Sequence, residues 1–165
     1  MDELIKHVEQ GKELNLREIY AATEMLLSES VSDEKKVAFL RGLTAKGETA
    51  AEIAGFVEAF LERAVDPGVS EMNFSGPTID VCGTGGDKLN LFNVSTTSMF
   101  VIAAGGAVVV KHGNRGITSK SGGADVLEAL GVKIDVTPEV FRNCLEAAGV
   151  GFLFAPIYHP AFKAV

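Results

Sequence analysis

The sequence predicts an N-terminal helical domain followed by part of a parallel-sheet α/β domain. Three observations carry this reading. Up to residue 65, apolar residues recur at helical spacing between capping residues. From residue 78, short β-rich runs alternate with capped helical segments, the rhythm of parallel strands with covering helices. Between the two, "VDPGVSEMNFSGP" (65–77) mixes Pro, Gly and Ser with no period. The domains are therefore placed at 1–65 (helical) and 78–165 (partial α/β), with a linker at 66–77.

The elements follow in order. "NLREIYAATEMLLSE" opens with Asn15 as N-cap and Glu18 three residues later, a capping-box spacing, and sets Ile19, Ala22 and Leu26 on one face. "SDEKKVAFLRGLTAKG" begins at Ser32, places acids in its first turn and stops at Gly47. "TAAEIAGFVEAFLERA" repeats the capping box with Thr49 and Glu52. Its Ile53, Phe56, Val57, Phe60 and Leu61 make an apolar stripe expected to pack. "TIDVC" reads as a strand, "VSTTSMFVIAAGG" as a helix ended by Gly105 and Gly106, and "AVVVK" as a buried strand. "ADVLEALG" is a short helix stopped by Gly131. "TPEVFRNCLEAAG" has Thr137 as N-cap, Pro138 at the first helical position and Gly149 just past the end. "VGFLFAP" is a third strand. "HPAFKAV" puts Pro160 where a helix should begin, with no cap before Val165, so the chain reads as a fragment.

Composition excludes several functions. The chain has 165 residues, 47% of them apolar, enough for a core. A net charge of −7 argues against a general nucleic-acid binder and against adherence to anionic membranes. No stretch approaches the roughly 18 consecutive apolar residues of a membrane span. "MDELIKHVEQ" carries acids and no apolar signal core, so a cytoplasmic protein is expected. Cys82 and Cys144 make no metal spacing. They read as reduced thiols, Cys82 buried at a strand end and Cys144 in the core. His7 reads as a solvated helix residue, His159 as a cap or flank of the last helix with a substrate role as the alternative, and Arg142 and Lys163 as surface charges.

The chemistry gathers in one interval. More than half of the 18 glycines fall between Gly83 and Gly131, and no acidic residue lies between Asp87 and Asp125. That interval holds Lys88, Lys111, His112, Arg115 and Lys120. Glycine loops let backbone approach a ligand, and helix N-termini offer free N–H groups. Together they describe a site for a small, multiply charged anion. "GTGGD" and "KHGNRGITSKSGG" each follow a strand, so both loops should lie at the carboxyl edge of the sheet. Known phosphate loops do not fit: there is no G-x-x-x-x-G-K-[ST], and Lys88 occupies the last position of G-x-G-x-x-G.

"GTGGD", "FNVST", "KHGNR" and "SGGADVLEALG", in this order and spacing, resemble the anthranilate phosphoribosyltransferase family, as does "FLFAPIYHPAFK". The resemblance covers essentially the whole chain and corresponds to roughly the first half of a family member. It implies the nucleoside phosphorylase/phosphoribosyltransferase type of fold and a homodimer formed through the helical domain. The implied reaction, in tryptophan biosynthesis, moves phosphoribose from phosphoribosyl diphosphate to the amine of anthranilate. By resemblance, Gly83, Gly86, Asp87, Leu91, Asn93, Val94, Ser95 and Thr96 contact phosphoribosyl diphosphate. So do Lys111, His112, Gly113, Asn114, Arg115, Gly116, Ile117, Thr118, Ser119 and Gly123. Gly83 and Asn114 also correspond to positions that meet anthranilate, and Ser95 to a hydroxyl that touches Mg2+.

The implied chemistry agrees with these residue types. Breaking the ribose C1–oxygen bond builds negative charge on the leaving diphosphate, so positioning and charge stabilisation matter more than a strong base. No residue is assigned as an essential base. Three departures from the family stand out. Leu91 replaces a hydroxyl residue, and Gly123 stands where many relatives have serine or alanine. The family's Asp-Glu magnesium ligands and its anthranilate-binding arginine have no counterpart up to Val165, so the 165-residue chain alone is expected to be inactive. Two further readings remain: a pyrimidine nucleoside phosphorylase-like enzyme, whose lysine loop reads differently from "KHGNR", and a catalytically silent binding or dimerisation module.

Overall fold

The structure, a computed structural model, describes residues 1–83, 92–116 and 121–164. It divides into two compact units, Met1–Ala64 with His159–Val165, and Val65–Tyr158. Among the described residues no helix is long and apolar enough to cross a membrane.

The helical unit contains α1 (Asp2–Glu9), α2 (Leu16–Leu27), α3 (Asp33–Lys46) and α4 (Ala50–Leu61). Both capping boxes form. Asn15 Oδ1 accepts from the Glu18 amide, and Thr49 Oγ1 from the Glu52 amide, while each glutamate reaches back to its N-cap N–H. Leu4, Val8, Leu14, Ile19, Ala22, Leu26, Phe39 and Leu43 make the core, so Ile19, Ala22 and Leu26 share a buried face as their spacing requires.

α4 meets its expectation in part: Phe56 packs against this core and Phe60 stacks on Phe162, but the rest of the stripe faces outward. Ile53, Val57 and Leu61 are 55%, 51% and 57% exposed, and the buried face is Glu52, Gly55 and Ala59. Small residues win because neighbours come close: a Cβ on Gly55 would lie 2.9 Å from Ile19 Cδ1. Glu52 is fully buried because it closes a polar knot. Its carboxylate accepts from the Leu14 and Thr49 amides at 2.8 and 2.9 Å and from Lys46 Nζ at 2.7 Å. His7, expected to be solvated, lies 2.8 Å from Glu18.

Residues 160–164 form a 3₁₀ turn rather than the start of an α-helix, and they belong to the helical unit, not to the α/β unit. Lys36 Nζ donates to the Ala164 carbonyl at 2.7 Å, and Phe162 stacks on Phe60 with centroids 4.6 Å apart.

The second unit holds β1 (Thr78–Ile79), α5 (Val94–Ala104), β2 (Val108–Gly113), α6 (Gly123–Ala129), α7 (Pro138–Ala148), β3 (Val150–Phe154) and α8 (Ala155–Tyr158). The sheet is parallel in the order β1-β2-β3, with Ile79 beside Val109 and Lys111 beside Phe152. Consecutive strand residues enter different cores. Val109 and Phe152 pack with Met99, Ala124, Leu127 and Ile134, whereas Val108 and Leu153 pack with Phe141, Leu145 and Tyr158. Thr137 Oγ1 caps α7, and Gly149 ends it at φ +66°, a conformation that glycine adopts without strain.

β1 is shorter than "TIDVC" implies, because Asp80 leaves the ladder to bind β2 through its side chain. Cys82 and Cys144 are both exposed, against expectation: Cys82 lies past the shortened strand, and Cys144 faces away from the buried Phe141 and Leu145 of its helix. The segment 66–77 contributes packing residues. Val69, Met72 and Phe74 cover the core of Val108 and Tyr158, and Arg142 Nη1 reaches the Pro67 carbonyl at 3.1 Å.

Candidate functional site

Lys111 sits on β2, and it is only 2% exposed. Its ammonium donates to Ser95 Oγ at 3.1 Å and to the Val81 carbonyl at 3.3 Å. Among the described residues no carboxylate lies within ion-pair distance of it. Burial pulls this ammonium below the usual lysine range, partly opposed by Cys82 and Asp80. An ammonium has three donors, so one remains for a ligand.

The first turn of α5 faces this lysine. Ser95 and Thr96 are its second and third residues, and Thr96 is buried with its Oγ1 unpartnered. A buried hydroxyl without a partner is costly, and here it marks a place for another polar group. Gly123 opens the space beside it: a Cβ there would lie 2.9 Å from Thr96 Oγ1 and 3.8 Å from Lys111 Cε. Asn93, the N-cap of α5, makes no capping bond. Its Nδ2 donates instead to the Ser121 carbonyl at 3.2 Å, joining the α5 start to the β2–α6 connection. The Val94 amide donates to the Phe92 carbonyl at 2.6 Å, and the N–H groups of Ser95 and Thr96 in this first turn favour an anion.

The structure thus brings together Asn93, Ser95, Thr96, Lys111 and Gly123. Val94 begins α5 and is exposed, and Gly83 follows Cys82 with open space around it. His112 is engaged by Asp80, which accepts from its amide at 3.2 Å and pairs with its Nδ1 at 2.8 Å. Gly113 packs under the Phe152 ring, so its missing side chain serves the fold. Asn114 is turned to local bonds: its Oδ1 accepts from the Arg115 amide at 2.8 Å and its carbonyl from Ala124 at 3.2 Å. Arg115 is held by Glu128 (Nη2–Oε1 2.8 Å) over the Phe154 ring at 5.7 Å, and Gly116 donates to Asp125 at 2.9 Å. Gly86, Asp87, Leu91, Ile117, Thr118 and Ser119 lie outside the described residues.

Asp80, Ser121, Gly122 and Asp125 were not signalled as site residues. Only Asp125 carried a local sign, as an acid in the first turn of a helix that follows Gly-Gly.

These described residues do not form a magnesium site of their own. The Ser95 hydroxyl already accepts from a cationic ammonium, which repels a divalent cation, and no group of three His, Cys, Asp or Glu that could hold a metal occurs among them. They fit an anion.

The described residues thus make a parallel α/β unit with an anion-receptive strand end, in a chain whose N-terminal unit is helical. The chain belongs to the glycosyl transferase family: the model of the family's a/b domain matches residues 75–165, and that of its helical bundle domain matches residues 2–64. It is similar to the anthranilate phosphoribosyltransferase of Methanosarcina acetivorans, at 50% identity over 167 residues, covering 100% of this chain and 44% of that protein. Among solved structures it resembles anthranilate phosphoribosyltransferase from Thermus thermophilus, with TM-score 0.82 and 39% identity over 98% of this chain and 48% of that one. It also resembles the Saccharomyces cerevisiae enzyme in complex with phosphoribosyl diphosphate and Mg, with TM-score 0.78 and 25% identity over 99% and 49% of the two chains. The chain spans about half the length of the relatives it matches.

Proposed function

We propose that the protein serves the transfer of phosphoribose from phosphoribosyl diphosphate to the amine of anthranilate, giving N-(5-phosphoribosyl)anthranilate and diphosphate, in tryptophan biosynthesis. The observation that carries this reading is the buried Lys111 ammonium, with no carboxylate partner among the described residues, beside the orphaned Thr96 hydroxyl at the carboxyl end of β2. The similarity to named anthranilate phosphoribosyltransferases supplies the donor and acceptor.

In this reading Lys111, the α5 first-turn amides and the Thr96 hydroxyl bind the diphosphate and hold the charge that develops on it as the C1–oxygen bond breaks. The neutral amine of anthranilate forms the new C1–nitrogen bond as the diphosphate leaves, and the resulting cationic nitrogen releases its proton to water. No base is assigned, because the attacking amine is already neutral and the step depends on positioning and charge stabilisation. Mg2+, when bound, would add positive charge beside the leaving diphosphate, and by resemblance Ser95 is the described side chain that would lie near it. The remaining contacts carried by resemblance, among them Gly83 and Asn114 for anthranilate and Ser95 near the metal, stand as part of this proposal.

A homodimer through the helical unit belongs to the same proposal. Exposed Ile53, Val57 and Leu61 on α4 form an apolar stripe suited to a second copy. Titration calorimetry with phosphoribosyl diphosphate and Mg2+ tests the binding claim: heat that saturates at one site per chain supports it, and no binding contradicts it.

A further inference from the structure

Resting on the phosphoribosyl diphosphate reading, we propose that Asp125 is a positioning residue for that site. Its carboxylate holds the Gly122–Gly123 backbone against 114–116, and so sets Ser121 and Gly123 relative to Asn93, Thr96 and Lys111.

Two backbone segments approach closely at Asp125. Asp125 Oδ2 accepts from the Gly116 amide at 2.9 Å and from the Gly122 amide at 2.6 Å. One carboxylate oxygen therefore joins two backbone positions six residues apart. The two strands of chain are nearly in contact: a Cβ on Gly122 would overlap the Gly116 nitrogen and lie 2.7 Å from the Asn114 carbonyl oxygen. Only glycine at 122 lets the carboxylate reach both amides. The Ala124 amide, which donates to the Asn114 carbonyl at 3.2 Å, adds a parallel tie.

Arg115 completes the clamp from outside. Its guanidinium is 3.5 Å from Asp125 Oδ1 and bonds both oxygens of Glu128 while lying over Phe154. In this structure the side chain, expected to line the ligand, is engaged by α6. The Gly116 and Gly122 amides, with help from Arg115, hold the Asp125 carboxyl below the usual range, so it stays charged near neutral pH.

The clamp acts on the site through two contacts. Ser121, next to Gly122, offers its carbonyl to Asn93 at the start of α5. Gly123, on the other side, lies against Thr96 Oγ1 and the Lys111 stem. Loss of the Asp125 carboxylate frees the backbone that fixes both.

The test uses the protein expressed from its complete reading frame, with phosphoribosyl diphosphate and Mg2+ as calorimetric probe and amide hydrogen exchange as a second readout. In Asp125→Ala the dissociation constant should rise about tenfold or more at unchanged stoichiometry. Partial unfolding would instead lower the stoichiometry. The Gly116 and Gly122 amides should exchange at least about tenfold faster, and the Val109 amide in the sheet should keep its rate. Asp125→Asn retains a carbonyl acceptor and should show a smaller rise, about threefold; it carries the same comparison if Asp125→Ala does not fold. Affinity unchanged in both variants overturns the positioning role, even with faster exchange, and leaves the proposed function standing. Failure of the unaltered protein to bind phosphoribosyl diphosphate removes both.

Discussion

The Lys111 ammonium lies 3.1 Å from the Ser95 hydroxyl and is buried without a carboxylate partner among the described residues. A cation so placed is unfavourable in the absence of an anion, which is the physical reason for reading the strand end as a diphosphate site.

Lys111→Ala and Asn93→Ala should each weaken phosphoribosyl diphosphate binding about tenfold or more, because a charge-assisted contact is worth roughly 1.5–3 kcal/mol. Calorimetry on each variant checks this. Unchanged affinity in both would remove the shared site.

Thr96→Val should separate stability from binding. The orphaned hydroxyl costs about 1–3 kcal/mol while it stays unsatisfied, and valine keeps the branched shape. Thermal denaturation without ligand should show an equal or higher midpoint, while affinity for phosphoribosyl diphosphate falls. A large loss of stability would mean that the hydroxyl has a partner within the fold.

Much of this was legible in the sequence, and the limits are physical. Capping residues named the helix starts correctly because an N-cap bond is local: Asn15, Thr49 and Thr137 all accept the predicted amides. The stripe on α4 was visible, but its direction was not. Period alone cannot distinguish a face that meets the core from one left for another surface, and the buried face is set by Gly55 meeting Ile19. Within the site, Lys111 and the hydroxyls of "VST" were legible from charge and glycine content. The grips of Asp80 on His112 and of Asp125 on Gly116 and Gly122 were not, since they depend on strand register and on two backbones meeting.

The buried Glu52–Lys46 pair should make stability fall in acid. Burial pushes the Glu52 carboxyl up, but the Leu14 amide, the Lys46 ammonium and the Thr49 amide outweigh it and bring it to about 2. A carboxyl lowered on folding stabilises the native state above its unfolded pKa, and that contribution fades as pH falls from about 4.5 to about 2. It is on the order of 3 kcal/mol. Glu52→Gln leaves Lys46 buried and unpaired, so it should destabilise by about 3–5 kcal/mol at neutral pH and flatten the acid slope. Denaturation as a function of pH reads both; an unaltered slope would deny the pair its role.

The exposed α4 stripe predicts self-association. Val57→Asp with Ile53→Asp should shift the protein from dimer to monomer in light scattering, with helix content preserved. A monomer at micromolar concentration before any substitution would contradict the dimer.

The most direct test of the phosphoribosyl transfer itself follows the fluorescence of anthranilate, using the protein expressed from its complete reading frame. With phosphoribosyl diphosphate and Mg2+ present, anthranilate fluorescence should decline with time, and the decline should stop when either is withheld or when Lys111 is replaced by alanine. No consumption of anthranilate, together with phosphorolysis of a pyrimidine nucleoside by the same sample, would contradict the account.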